Sequence, residues 1–481
     1  MLDAVVPFVW QPSFSWSGND GNWSTSSIRV GTPAQTFQVF PSTVGAEVWI
    51  PIPEGCSQYA IVNCGAVRGV LPFDGAPSSG FQPNESSSWQ EIGIYSLGLE
   101  ESLYGPDDSG LYGLDVVALG SSGASFTQTI AGFATSNFWL GVLGLGVVPA
   151  AFDVKEQNVE GVLTTMVDKS LIPSQSYGYS AGAAYRSAAG GIVLGGYDQS
   201  AFTPSNVNFD LYFSGSRSLT ASLRGVVVSN SLQGTVSLPT GPYNMSIDST
   251  ISQLWLPRAM CDSLEEFLGL SYDDATQLYL INDTVRERLH SLSPSFTFTL
   301  APNARTNVTT TIELPYAAFD QQLDAPLFEN QQRYFPMKRG ANGSQFVLGR
   351  AFLQEAYIVT DWTRQSFTIG QSLHHNGVSN NIMPILPESP SDGLSTAAIA
   401  GIAVGAVVAI GICCIVGWWT WRHRKQARAN STAEHGTLVE EYPEDKKQVE
   451  EVEGRRNWPF RHERLMLDLT PMSAMSSMMS K

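Results

Sequence analysis

Two ten-residue stretches carry the side chains on which chemistry could turn. STVGAEVWIP (42–51) and DSTISQLWLP (248–257) each open on small polar residues, then place Trp eighth and Pro tenth. The second stretch brings a carboxyl group, Asp248; the first brings only the hydroxyls of Ser42 and Thr43. A carboxylate can take a proton as a base and return it as an acid, whereas a serine hydroxyl does not ionise in the accessible pH range. One stretch therefore holds a proton-transfer group and its counterpart does not.

Other groups compete for a chemical role. GYSAG (178–182) matches the Gly-x-Ser-x-Gly nucleophile pattern, which needs a strand before it and a helix after it. AAYRSAAGGIVLGG (183–196) follows instead and reads as strand and turn. His290, His374 and His375 are the bases available to such a serine in the body, and the last two border a linker. The adjacent His374 and His375 have no Cys, Asp or Glu at ligand spacing, so no metal or other cofactor is expected. Glu47, five residues after Ser42, reads as a solvated charge on the strand that leads to Trp49.

The elements that must position these groups are repeated. GVLGLG (141–146) and FVLGRAF (346–352) form a second matching pair: Gly144 lies 102 residues after Ser42, and Gly349 lies 101 after Asp248. Two pairs at one internal distance predict two homologous lobes, each a run of short strands. The composition agrees: charged residues are only 15% of the 481, while Gly (44), Pro (27) and aromatics (11%) are plentiful, as in an all-β protein. Residues 1–395 carry a net charge of −18 and 396–481 a net of +1. An acidic body without a basic surface excludes nucleic acid as a partner class.

AAIAGIAVGAVVAIGICCIVGWWTW (397–421) is 25 uncharged residues long, enough to cross a bilayer. Trp418, Trp419 and Trp421 gather at the end that meets RHRKQAR (422–428), and the other flank, ESPSDG (388–393), is acidic. That polarity predicts one transmembrane helix with the C-terminal tail in the cytosol and the body outside or lumenal, at the plasma membrane or in the secretory pathway. GIAVG (401–405) could pair such helices. Six sequons precede the span, at Asn22, Asn84, Asn244, Asn282, Asn307 and Asn342, and predict a glycosylated exterior; Asn430 lies beyond it. A disulfide between Cys56 and Cys64 fits the same oxidising compartment. The start, MLDAVVPFVWQ, has no signal-peptide pattern, so a start upstream of Met1 is expected.

The body resembles the pepsin-like (A1) aspartic peptidases over most of 25–372. VGTPAQTFQV (30–39) is similar to that family's entry strand, CSQYAIVNC (56–64) to its small disulfide loop, and FQPNESSSW (81–89) to its F-x-P-x-x-S-S-T-[YF] segment. GVLGLG, GGIVLGGYD (190–198) and FVLGRAFLQEAYIVTDWTRQSFTIG (346–370) resemble its later strands. The resemblance implies a mainly β, bilobal fold with a cleft for extended polypeptide. It also implies two Asp-Thr/Ser-Gly turns, whose paired carboxyls share a proton and activate water. Here Ser42 replaces the first Asp, Asp248 remains as the second, and Thr43 and Ser249 keep the hydroxyls beneath the pair. Val44 and Thr250 replace the glycines, and β-branched residues there are expected to distort both turns. Tyr104 stands near the place of the flap tyrosine, with Pro106 breaking the family's Tyr-Gly-x-Gly pattern.

The expected organisation is an N-terminal segment (1–20), a first lobe (21–205), a second lobe (206–375), a flexible stalk (376–396), the span (397–421) and a disordered tail (422–481). The expected function is a single-pass glycoprotein whose cleft binds extended polypeptide without hydrolysing it. Two rivals stand beside it: an active aspartic endopeptidase that pairs Asp248 with another group, and a structural or adhesive protein with an empty cleft.

Overall fold

The computed structural model describes residues 5–387, except 58, 60, 106–108, 122, 153–156, 213–216, 240 and 375–380; beyond them it describes 412–413, 415–420, 422 and 461–462. Met1–Pro387 with Pro459–Lys481 forms one compact unit and Glu388–Trp458 another. In the second unit the described residues are helical.

The first lobe is built on an eight-stranded sheet. Four of its strands place the Ser42 stretch: β1 (Gln35–Ser42), β2 (Val48–Pro51), β3 (Ser125–Phe133) and β4 (Gly141–Gly144). β1 runs parallel to β4 with Ser42 opposite Gly144; β4 runs antiparallel to β2 with Val142 opposite Trp49; β2 runs parallel to β3. The four-residue helix α1 (Glu101–Tyr104) follows the hairpin-forming strand Gln90–Ser96.

The second lobe repeats this arrangement in β5 (Tyr243–Ile247), β6 (Leu254–Pro257), β7 (Met337–Gly340) and β8 (Val347–Leu348). β5 is parallel to β8 with Ile247 opposite Leu348, β8 is antiparallel to β6 with Val347 opposite Trp255, and β6 is parallel to β7. The sequence repeat is thus a repeat of strand order and register. Gly144 and Gly349 recur for one steric reason: a Cβ on Gly144 would lie 2.6 Å from the Gly45 carbonyl oxygen, and one on Gly349 2.3 Å from that of Gln253. Only a residue without a side chain lets the crossing loop pass this close.

Alternation builds the sheets. Along β1 the side chains of Phe37 and Val39 turn inward while Thr36 and Gln38 are half-buried. Trp49 packs edge-on against Phe138 at 5.2 Å and tilted against Phe133 at 6.3 Å. Each such buried side chain contributes about 1.5–3 kcal/mol. Helix α2 (Arg258–Leu268) buries Met260, Cys261, Leu264 and Leu268, one face at helical spacing, and ends where Gly269 turns to φ 69°. A seven-stranded sheet joins the halves. It includes Phe8–Trp10, Ser176–Ala183 and Ala188–Leu194 from one side and Ala356–Asp361 and Ser366–Ser372 from the other.

Several expectations change. Residues 1–20 are not a separate segment: Phe8–Trp10 pairs with Ala188–Leu194, and Pro12–Ser17 pairs with Trp23–Val30. The stalk is not free along its whole length either. Ile382–Pro384 pairs with Gly196–Asp198, and the Ile385 N–H donates to the Gly195 carbonyl at 3.1 Å. An exposed strand edge offers unpaired backbone groups, and this segment satisfies them. Most of the apolar stretch 397–421, and all of GIAVG within it, lies outside the described residues; among those described, no helix is long and apolar enough to cross a membrane.

Candidate active site

The two β-turns that follow β1 and β5 meet at the centre of the cleft, and both are fully buried. Beneath them the lobes exchange hydrogen bonds. Thr43 N–H donates to Ser249 Oγ at 2.9 Å, and Ser249 N–H donates to Thr43 Oγ1 at 3.0 Å. Each hydroxyl passes its own proton across: Thr43 to the Ile247 carbonyl at 3.1 Å, Ser249 to the Pro41 carbonyl at 2.6 Å. Both hydroxyls are satisfied as donor and acceptor, which holds the turns at a set separation.

Ser42 and Asp248 are brought together but not as a proton-sharing pair. The Ser42 hydroxyl lies 2.5 Å from the Val44 carbonyl and 2.6 Å from Thr250 Oγ1, and it accepts the Val44 N–H at 3.2 Å. Asp248 Oδ1 accepts the Thr250 N–H at 2.8 Å, while the Thr250 hydroxyl bonds to Ser42. Thr250 thus stands between the two. The turns themselves are not distorted: neither Val44 nor Thr250 has a positive φ, and the left-handed residue of the first turn is Gly45, at 70°. The expected distortion fails because the conformation that needs glycine falls one residue later.

Asp248 has a carboxyl partner that sequence reasoning missed. Glu100, at the N-terminal end of α1, is buried, and its carboxyl lies close enough to that of Asp248 for the two to act on each other's ionisation. Neither Asp248 Oδ2 nor Glu100 Oε1 receives an N–H or hydroxyl from the other described residues. Two carboxyls can bond to each other only if one carries a proton. Burial, then the Asp248 charge, pushes the Glu100 carboxyl well above the carboxylate range, with Arg217 pulling the other way. Burial raises Asp248 as well, opposed by the Thr250 N–H, by Glu100 and by Arg350.

Arg350 is the second residue missed. It is buried under the turns, donates from Nη1 to the carbonyls of Ser249 and Thr250 at 2.8 Å each, and lies 4.1 Å from the Phe40 ring centre. A carboxylate, its protonated neighbour and one guanidinium sum to no net charge, which is how such a site tolerates burial. Arg350 was legible as the one cation inside FVLGRAF. Glu100 had no comparable signal beyond a carboxylate set among Leu97, Leu99 and Leu103.

The remaining candidates fall elsewhere. Tyr104 closes α1 and packs on Phe138 at 5.5 Å and Trp255 at 6.2 Å. Glu47 is not a free solvated charge: it accepts the Trp49 indole N–H at 2.8 Å and the Tyr112 hydroxyl at 3.4 Å. Ser180 sits within the strand Ser176–Ala183, 3.3 Å from Ser372 Oγ, so GYSAG is not a strand-to-helix turn. His290 pairs with Asp320 at 2.8 Å and His374 with Glu355 at 3.4 Å; His375 lies outside the described residues. Among the described residues no three His, Cys, Asp or Glu side chains are placed to hold a metal ion. Cys56 and Cys64 form a disulfide, Cα to Cα 5.7 Å. Asn22, Asn84, Asn244, Asn282, Asn307 and Asn342 are all exposed.

The profile of the family described as eukaryotic aspartyl protease matches residues 25–372. The chain belongs to that family. It is similar to an acid protease of Saccharomycopsis fibuligera, 23% identical over 74% of this chain and 82% of that one. It is also similar to the aspartic proteinase yapsin-3 of Saccharomyces cerevisiae, 24% identical over 75% and 68%. Secreted aspartic protease 1 of Candida albicans is 24% identical over 72% and 80%. Within this aspartyl protease fold, the first turn holds Ser42 and the second holds Asp248.

Proposed function

We propose that this protein is a membrane-anchored glycoprotein whose aspartyl-protease-fold body binds extended polypeptide and does not hydrolyse it. The observation that carries this is the state of Ser42: its hydroxyl is committed to Val44 and Thr250, and no carboxyl stands where it does. Asp248 alone cannot hold a nucleophilic water as base while a second acid protonates the leaving group. A cavity of about 250 Å³ beside Thr250, lined in part by Asp20, Phe138, Trp139 and Lys338, supports ligand binding next to the turns. The apolar stretch 397–421 supplies the anchor, and the six exposed sequons support glycosylation of the body.

An active endopeptidase is the alternative, and the Glu100 carboxyl is the observation in its favour, along with relatives named as proteases. Against it, the first turn offers the Ser42 hydroxyl and no carboxyl, and Glu100 stands at the start of α1, outside either turn. Incubating the full chain with a broad peptide library across about pH 3–7 tests the choice, since paired aspartyl groups keep one proton in the acid part of that range. No cleavage is expected. Cleavage that disappears in Asp248→Asn would overturn the proposal.

A further inference from the structure

Helix α1 lies over the buried turns, and four contacts hold it there. Leu103 and Tyr104 pack against the second-lobe cluster of Ile251, Trp255 and Val347. Gln345 donates from Nε2 to the Ser102 carbonyl at 2.7 Å, at an exposed position. The fourth contact is the buried carboxyl pair of Glu100 and Asp248. Tyr104 of α1 also lines the cavity that reaches Thr250, so α1 forms part of the wall along which a ligand approaches the turns.

The backbone of α1 is built to be held rather than to rest. Glu100 has φ 55° and ψ 29°, the left-handed region, and its side chain makes no cap bond to its own helix. For a residue with a Cβ that conformation is unfavourable, because the Cβ crowds the following carbonyl oxygen. Gly105 ends the helix at φ 87°, and a Cβ there would meet nothing within 4 Å. Thus α1 is flanked by two positions of positive φ, one of them kept so by a side chain that reaches across the cleft.

We propose that Glu100 and Asp248 are a proton-operated latch: the shared proton keeps α1 in the cleft in acid, and its loss toward neutral pH releases α1 and admits polypeptide. The admission of polypeptide rests on the function proposed above; the latch does not.

The sign follows from what faces each carboxyl. Asp248 meets the Thr250 N–H and, further off, the Arg350 guanidinium, both of which favour its charged form. Glu100 faces Asp248 itself, with Arg217 as its counter-charge; Arg217 is otherwise engaged with the carbonyls of Ser344 and Asn244. The phenols of Tyr104 and Tyr179 also lie within the field of Asp248; Asp20 acts on Tyr104 and Lys338. Glu100 is therefore the member that keeps the proton. Its carboxyl is raised in the closed state, so closing takes up a proton. Below the free glutamate value of about 4.3 both states are protonated and the closed fraction is constant. Above it the ratio of closed to open falls by up to about tenfold per pH unit until the closed-state value is passed.

Hydrogen–deuterium exchange of the full chain in detergent, from about pH 4.5 to 7.5 and corrected for intrinsic rates, reads the latch at the amides of 99–105. In the wild type, protection there is expected to fall by about tenfold or more across the range. Glu100→Gln donates an amide N–H to the Asp248 carboxylate without needing a proton, so its profile should be flat. Asp248→Asn should flatten it from the other side. Protection along β1 serves as the control for folding. A flat wild-type profile, or the wild-type slope kept in both variants, would overturn the latch. Capture of a phage-displayed random peptide pool at about pH 5 and 7 then tests admission. Capture only at the higher pH, and loss of it in Glu100→Gln, supports the whole proposal. A normal exchange slope with no capture supports the latch and overturns polypeptide binding; equal capture at both pH values overturns the gating.

Discussion

Ser42 Oγ lies 2.6 Å from Thr250 Oγ1, a hydroxyl pair across the lobes where the fold could have held two carboxyls. The two turns face each other at this point through hydroxyls and not through carboxyls. Neither hydroxyl ionises in the accessible pH range, so proton exchange at these turns falls to the buried carboxyls of Asp248 and Glu100 among the described residues.

Restoring hydrolysis should take more than one substitution. Ser42→Asp alone leaves Thr250 between the carboxyls and Glu100 against Asp248, and no cleavage of a peptide library is expected. Ser42→Asp with Thr250→Gly and Glu100→Ala should give cleavage near pH 3–5, where about one proton is held by paired aspartyl groups. Val44 can stay, because its backbone is not left-handed. Activity in the single variant would show that Glu100 does not block the site.

The cross-lobe bonds of Thr43 and Ser249 should be worth measuring as a pair. Thr43→Ala or Ser249→Ala leaves a buried N–H and a carbonyl without their partners, and each should destabilise the body by about 1–3 kcal/mol. Because both hydroxyls hold the same two facing turns, the double variant should lose less than both single losses combined. Urea unfolding of the four proteins gives the coupling; strict additivity would contradict a reciprocal pair.

Acid should weaken the body through Glu355. Burial opposes ionisation of this carboxyl, but the pairing with His374 and the hydrogen bonds from Tyr185 and Arg186 outweigh it and hold it below the usual value. A depressed carboxyl stabilises the fold above its unfolded value of about 4.3, and that contribution is lost as pH falls through the folded value. The melting temperature of Glu355→Gln should therefore change less than that of the wild type between about pH 5 and 3. A parallel decline in both proteins would show that Glu355 is not the group responsible.

Glycosidase treatment should reduce the apparent mass of the protein from its natural host in several steps. Asn→Gln at each of Asn22, Asn84, Asn244, Asn282, Asn307 and Asn342 should remove one step, since all six side chains are exposed. Protease added to intact cells should digest the body and spare the tail. An unshifted band would contradict the proposed topology.

Much of this protein could be read from neighbouring residues alone. The Trp and Pro spacing, the repeated glycines and the alternating strands reflect covalent distance and sheet periodicity, which a linear chain displays directly. That Ser42 and Asp248 hold matching places was legible for the same reason, because the repeat supplies its own reference. Tertiary structure alone decided the rest. Glu47 became an acceptor for Trp49 and Tyr112, Ser180 settled inside a strand, and residues 381–385 paired with the body. Above all, Glu100 met Asp248, although nothing in the local pattern around either residue refers to the other. That contact exists because two lobes close on each other and α1 folds between them, and a partner set by the docking of distant surfaces leaves no period or spacing in the chain.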